Sequence, residues 1–226
     1  MSLAAYRPAL YDALPDIDEA ASTYEECGSL GPFRLAIDAA ARPHACSSRY
    51  GLYLLHRHSR LADDEVMIAC GNVTMPFEVP ALTAHALRSI RPTVWGLQPG
   101  TDVFAPLEFA FDGPASDDGR QEDLDEALAK DVAFVLKHFG LDALLGLALL
   151  PPTSAGVGLE STHGRANIVR PKSMLCNATA TQSVEVLWRL LSDASQPSDV
   201  PQECVQSCIV AAVPKKHRRQ HDDDSD

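Results

Sequence analysis

The chain has no apolar run long enough to cross a bilayer. Its longest, at 143–150, falls far short of the roughly 20 residues a membrane helix needs. Residues 1–8 hold no apolar core of signal-peptide length, and Asp12, Asp16, Asp18 and Glu19 follow soon after. The expectation is a cytoplasmic protein without a membrane partner, a nuclear location being the alternative.

The common catalytic signatures are missing as well. There is no Walker phosphate loop, no dinucleotide glycine fingerprint, no H-E-x-x-H helix and no kinase motif. Cys27-Gly28-Ser29-Leu30-Gly31 resembles a G-x-S-x-G elbow only superficially. No nucleotide cofactor is therefore expected. No internal repeat occurs. The surplus of acidic groups, a formal net charge of −12, repels phosphate backbones and speaks against general nucleic-acid binding. Lys215-Lys216-His217-Arg218-Arg219 is a local exception, but the aspartates after it cancel much of its attraction.

Of 226 residues 46% are hydrophobic, enough to bury a sizeable core in one domain. The six cysteines, Cys27, Cys46, Cys70, Cys176, Cys204 and Cys208, are widely spaced, and a chain of this size needs no disulfide staples.

Residues 1–30 read as a loosely helical leader interrupted by Pro8 and Pro15. Residues 33–38, 50–58, 65–70, 73–79, 87–97 and 103–111 read as strands, with 61–64 as a hairpin connection between 50–58 and 65–70. Leu124, Leu128, Val132, Val135, Leu136 and Phe139 form one stripe of a helix over 122–139. Residues 144–150 are a buried strand or short helix, and 159–170 are extended. Val184, Leu187, Trp188 and Leu191 have helical spacing and suggest a second helix over 182–192. Residues 193–226 read as a largely disordered tail. The fold class expected is α+β: a single domain over 31–192, a mostly antiparallel sheet with two main helices packed on one face.

Three constellations carry chemistry. His56 and His58 flank Arg57 at the end of a strand, so both imidazoles fall on one face, as metal ligands or acid–base groups. A metal there needs a third ligand, and Glu78, His85, Glu108 and His163 are the candidates. Without one, the imidazoles hydrogen-bond to loops or water. The second constellation is Glu160, His163, Arg165 and Asn167. If the stretch is extended throughout, His163, Arg165 and Asn167 face one way and Glu160 the other; the Arg fork suits a carboxylate or phosphate. Gly164 would let backbone approach that ligand, or would mark a bulge. The alternative is a solvated hairpin. The third is Cys204, Cys208, His217 and His221, whose donors suit zinc, though the connector between the pairs is short and broken by Pro214.

Two segments, 50–79 with Leu54-Leu55-His56-Arg57-His58 and Gly71-Asn72-Val73-Thr74-Met75-Pro76, and 158–171 with Gly164-Arg165-Ala166-Asn167-Ile168-Val169, together with the Cys204/Cys208 pair, resemble an uncharacterised family of filamentous-fungal proteins. The resemblance implies an intracellular eukaryotic protein and carries over no activity.

Two functions follow. The simpler is a non-catalytic binding or interaction protein with a protein partner. The other is an enzyme of hydrolase or isomerase type acting on a small polar or anionic substrate. There His56, His58 and His163 would be the catalytic or metal-ligating groups, and Arg165, Asn167 and Glu160 the ligand contacts.

Overall fold

The computed structural model describes residues 6–28, 30–111, 124–151, 157–174, 183–191 and 203–209. Ten strands close into one barrel. In chain order they are β1 (Tyr50–Leu54), β2 (Glu65–Cys70), β3 (Val73–Glu78), β4 (Ile90–Leu97), β5 (Phe104–Phe111), β6 (Leu145–Leu149), β7 (Gly158–His163), β8 (Ala166–Pro171), β9 (Ser183–Arg189) and β10 (Cys204–Ile209). Around the barrel they run β1-β6-β4-β5-β2-β3-β8-β7-β10-β9, and β9 returns to β1. Two pairs, β2 with β5 and β7 with β10, are parallel. Among the described residues closure leaves no strand edge to template aggregation.

This overturns the expected open α+β sheet with two helices on one face. Three segments account for the difference. Residues 183–189, expected within a helix, are β9. Val184, Leu187 and Trp188 do fit a helical period, but Val186 is buried as well, and a strand covered on both faces reads as a continuous apolar run. Cys204–Ile209, inside the expected tail, is β10, and it pairs with both β9 and β7. Residues 61–64 do not join a hairpin, because β1 pairs with β6 and β9 and not with β2. True hairpins occur at β2–β3, β4–β5 and β7–β8.

Among the described residues five α-helices accompany the barrel: α1 (Pro8–Asp12), α2 (Ile17–Glu26), α3 (Gly31–Ala41), α4 (Ala84–Arg88) and α5 (Glu126–His138). Residues 33–38, expected as a strand, lie in α3. Phe33, Leu35 and Ile37 alternate, yet Leu35 is 54% exposed while Phe33, Ile37 and Ala41 are buried. That i, i+4, i+8 stripe is the helical one. The helix expected over 122–139 is α5. Asp125 caps it by accepting the Leu128 N–H at 2.8 Å, and Lys137 and His138 sit in its last turn.

The main core joins Phe33 and Ile37 of α3 and Leu128, Val132 and Leu136 of α5 to Tyr50, Leu52, Trp95, Leu145 and Leu147 of the barrel. Burying each such side chain contributes about 1.5–3 kcal/mol. Helices α3 and α5 therefore cover the outside of the barrel, while the candidate site lies in its lumen. Among the described residues no helix is long and apolar enough to cross a membrane.

Candidate metal centre in the barrel lumen

Strand β1 ends at Leu54, but the chain stays extended beyond it. The Leu55 N–H donates to the Leu144 carbonyl at 2.9 Å and the Arg57 N–H to the Pro15 carbonyl at 2.9 Å. The extended backbone throws His56 and His58 to one side and Arg57 to the other. Arg57 then donates to the carbonyls of Asp12 and Leu14, fastening the N-terminal helices over this end of the barrel. The His58 N–H donates to the Tyr11 hydroxyl at 3.0 Å, and the Leu61 N–H to Asp12 at 2.8 Å.

Both imidazoles are buried, their rings edge to face with centroids 4.7 Å apart. Opposite them stands Glu160 of β7. Its Oε2 lies 3.5 Å from Nε2 of His56 and 3.9 Å from Nε2 of His58. The ligand atoms of His56, His58 and Glu160 all lie within 4.8 Å of one another. Two ligands about 2.1 Å from one ion at a tetrahedral angle stand about 3.4 Å apart. The His56–Glu160 gap already has that span, and the His58–Glu160 gap exceeds it by about half an ångström.

The surroundings fix which atoms face the gap. His56 Nδ1 contacts the Leu54 carbonyl at 2.7 Å, which assigns a ring proton to Nδ1 and turns Nε2 inward. Gln206 of β10 donates to Oε1 of Glu160, which leaves Oε2 inward. The amide nitrogen of Asn167 lies 3.2 Å from Nε2 of His58. Three buried polar atoms here have no hydrogen-bond partner: His56 Nε2, Glu160 Oε2 and Asn167 Oδ1. Glu108 of β5 completes the group, its Oε1 3.8 Å from His58 Nε2.

Burial and mutual charge set the ionisation. Burial lowers the His56 pKa, but the facing Glu160 carboxylate and the Leu54 carbonyl outweigh it and leave the group raised. Burial drives His58 down to about 4, with Glu160 opposing and His56 assisting. Burial and the charge of Glu160 raise Glu108 to about 7. Burial pushes Glu160 up, yet the two histidines and Gln206 hold it below the usual carboxylate range. The resulting set is an anionic Glu160 facing a neutral His58 and a His56 whose raised pKa favours its protonated form; a divalent transition ion bound here would take the place of the His56 Nε2 proton.

Two cavities flank this centre and share no lining residue, the histidines lining one and Glu160 the other. An outer cleft of about 460 Å³ runs past His56 and His58 and is lined by Arg57, Asp18, His163 and Arg170. A lumen chamber of about 150 Å³ lies on the other side, reached by Glu108, Glu160 and Asn167.

Several placements depart from the sequence expectation. Residues 160–167 are not one continuous strand. They form the β7–β8 hairpin, in which Glu160 pairs with Val169 and Thr162 with Asn167. The turn resets the alternation, so Glu160 and Asn167 share the lumen face. His163 is exposed at the turn beside the outer cleft. Arg165 is 54% exposed and engaged by Glu65 and the Arg60 carbonyl, so it does not point toward the histidines as an anion anchor. Gly164 serves the turn through its φ of +62°; a Cβ there would meet nothing within 4 Å, so no backbone approach requires it. Of the third-ligand candidates, Glu108 adjoins His58, while Glu78, His85 and His163 are exposed.

Cys204 and Cys208 are free thiols on β10. Cys204 donates to the Gln206 carbonyl, and burial and the neighbouring Glu160 push the Cys208 thiol up, so it stays protonated. His217 and His221 lie outside the described residues. Sequence reasoning missed Tyr11 and Gln206 entirely. The alternation of β10 carries a signal for Gln206, while nothing local distinguishes Tyr11.

No protein-family model matches this chain, and neither a curated protein nor a solved structure is similar enough to match it.

Proposed function

We propose that this protein is a metal-dependent enzyme of the isomerase or hydrolase type, acting on a small polar substrate at a divalent transition ion. The ion is held by Nε2 of His56, Nε2 of His58 and Oε2 of Glu160. The observation that carries this reading is the convergence of unsatisfied buried atoms on one gap: His56 Nε2 and Glu160 Oε2, with Asn167 Oδ1 beside them. Each orphaned polar atom costs about 1–3 kcal/mol. A protein that only presents its surface to a partner gains nothing from such a cluster, whereas one ion satisfies it.

Three protein ligands leave coordination positions open, the pattern of catalytic rather than structural sites. The ion would act as a Lewis acid on a substrate oxygen. Glu108 stands beside the open positions, placed to exchange a proton with the bound molecule. The donor set of two nitrogens and one oxygen suits zinc or ferrous iron.

The test is elemental mass spectrometry on tag-free protein purified without added metal, alongside Glu160→Gln. About one equivalent of zinc or iron, lost in the variant while the barrel stays folded, is the expected result. A folded wild-type protein that stays empty after incubation with either ion, whatever the variant does, would rule the reading out.

A further inference from the structure

We propose that the lumen chamber is the substrate pocket, and that it takes a compact, uncharged molecule carrying a hydroxyl next to a carbonyl oxygen. This rests on the metal reading above. Every strand except β2 contributes to the chamber wall, so the chamber lies within the barrel, partly open to solvent. Its volume is about 150 Å³. A cavity of about that volume holds a ligand of roughly benzene size.

Charge narrows the class. The chamber is lined by two carboxyls, Glu108 and Glu160, and by no lysine or arginine among the described residues. Arg165, two residues from Asn167, is held by Glu65 outside it, and Arg170, next to Val169, lines the outer cleft. With the ion bound by Glu160, a carboxylate or phosphate entering here meets two carboxyls and no further cation.

The polar groups narrow it again. The ion calls for an oxygen lone pair. Asn167 Oδ1, a buried acceptor without a partner, calls for a hydroxyl donor. The Asn167 amide touches His58, so both demands fall within the span of two neighbouring groups on one molecule. An ion on His58 Nε2 also displaces the amide nitrogen from that lone pair and frees the amide for the ligand. Val94, Ala148, Val169 and Leu187 offer an apolar wall for a short alkyl remainder. The outer cleft differs: Arg57, Arg170, Asp16 and Asp18 line it, and its chemistry suits charged groups.

The experiment uses full-length protein loaded with Co²⁺, its content checked by elemental analysis, and follows the visible spectrum of the ion. Hydroxyacetone is the probe; lactate, inorganic phosphate and the bulkier 2-hydroxyacetophenone are the comparisons. Thr93→Met and Val169→Phe fill the chamber, and Arg170→Ala alters only the outer cleft. Hydroxyacetone should perturb the spectrum at concentrations at least about tenfold below lactate or phosphate. The filled variants should keep cobalt and lose that response, and Arg170→Ala should keep both. A stronger response to lactate or phosphate, a response lost with Arg170→Ala, or a bound cobalt blind to hydroxyacetone would overturn the proposal. If the filled variants do not fold, the ranking of probes on the wild-type protein decides. Failure to take up cobalt at all overturns the metal reading first, and is distinguishable from the other outcomes by the elemental analysis.

Discussion

Glu160 Oε2 faces His56 Nε2 across 3.5 Å, both atoms are buried, and neither has a hydrogen-bond partner. The second atom of each group is already engaged, Oε1 by Gln206 and Nδ1 by the Leu54 carbonyl. Both side chains are thus aimed at the same gap by neighbours on two strands, Gln206 of β10 and Leu54 at the end of β1. Neighbours of this kind orient ligands and tune affinity in metal sites.

Gln206 is therefore a positioning residue. Gln206→Leu keeps most of the volume but frees Oε1 of Glu160 to turn away. Metal affinity is expected to fall by about 10–100-fold, with the chamber and the melting temperature little changed. Competition with a chromophoric chelator reads the affinity. Unchanged affinity in a folded Gln206→Leu protein would remove Gln206 from the site.

The Arg165–Glu65 pair is structural on this account. Arg165 and the Ala62 N–H hold the Glu65 carboxyl below its ordinary range. A depressed folded-state pKa stabilises the fold above the unfolded carboxylate value, and that part is lost as pH falls through the folded value. Arg165→Met should weaken this acid-limb dependence in urea titrations between pH 7 and pH 3. Arg165 is largely exposed, so solvent screening limits the loss near neutrality to about 1 kcal/mol or less. Metal content should not change. Loss of the metal in Arg165→Met would contradict the separation of the pair from the centre.

Gly164 makes the β7–β8 turn that brings Glu160 and Asn167 to one face. Its φ of +62° is unfavourable for other residues. Gly164→Ala should cost about 1–2 kcal/mol through backbone strain alone. A Cβ meets no atom there, so ligand binding should persist in the folded fraction. Stability measured by denaturant, set beside ligand affinity, separates the two effects. A neutral Gly164→Ala would mean the turn is not held in this conformation.

Helix α5 is fastened by side chains with no part in the centre. Leu136→Ala, at a fully buried position, should destabilise by about 2–5 kcal/mol. The adjacent exposed Phe134→Ala should change stability by about 0.5 kcal/mol or less. Equal losses from both would show that the helix packs by another face.

The sequence displays some of this arrangement openly. The H-x-H spacing of His56 and His58 needs only extended backbone to bring two imidazoles together, and extension is readable from 50–58. The stripe of α5 is equally plain, because Leu128, Val132 and Leu136 repeat with one period only. Val184 to Leu191 is ambiguous at heart: its apolar residues satisfy both a helix and a doubly covered strand, and only the partners β1 and β10 decide. The partnership of Glu160 with His56 spans more than one hundred residues. It depends on a hairpin turn at Gly164 and on a ring closed by β10, neither of which a local pattern specifies. Reading 160–167 as a single strand reversed the facing of Glu160 relative to Asn167, which hid the third ligand.

The most direct test of the account is anomalous diffraction at a transition-metal edge from crystals of the protein purified without added metal. The expected result is one strong peak about 2.0–2.2 Å from His56 Nε2, His58 Nε2 and Glu160 Oε2, with the Asn167 amide moved off His58. An ordered centre with no peak, His58 still bound by Asn167 and a carboxylate–imidazole hydrogen bond closing the gap would contradict it.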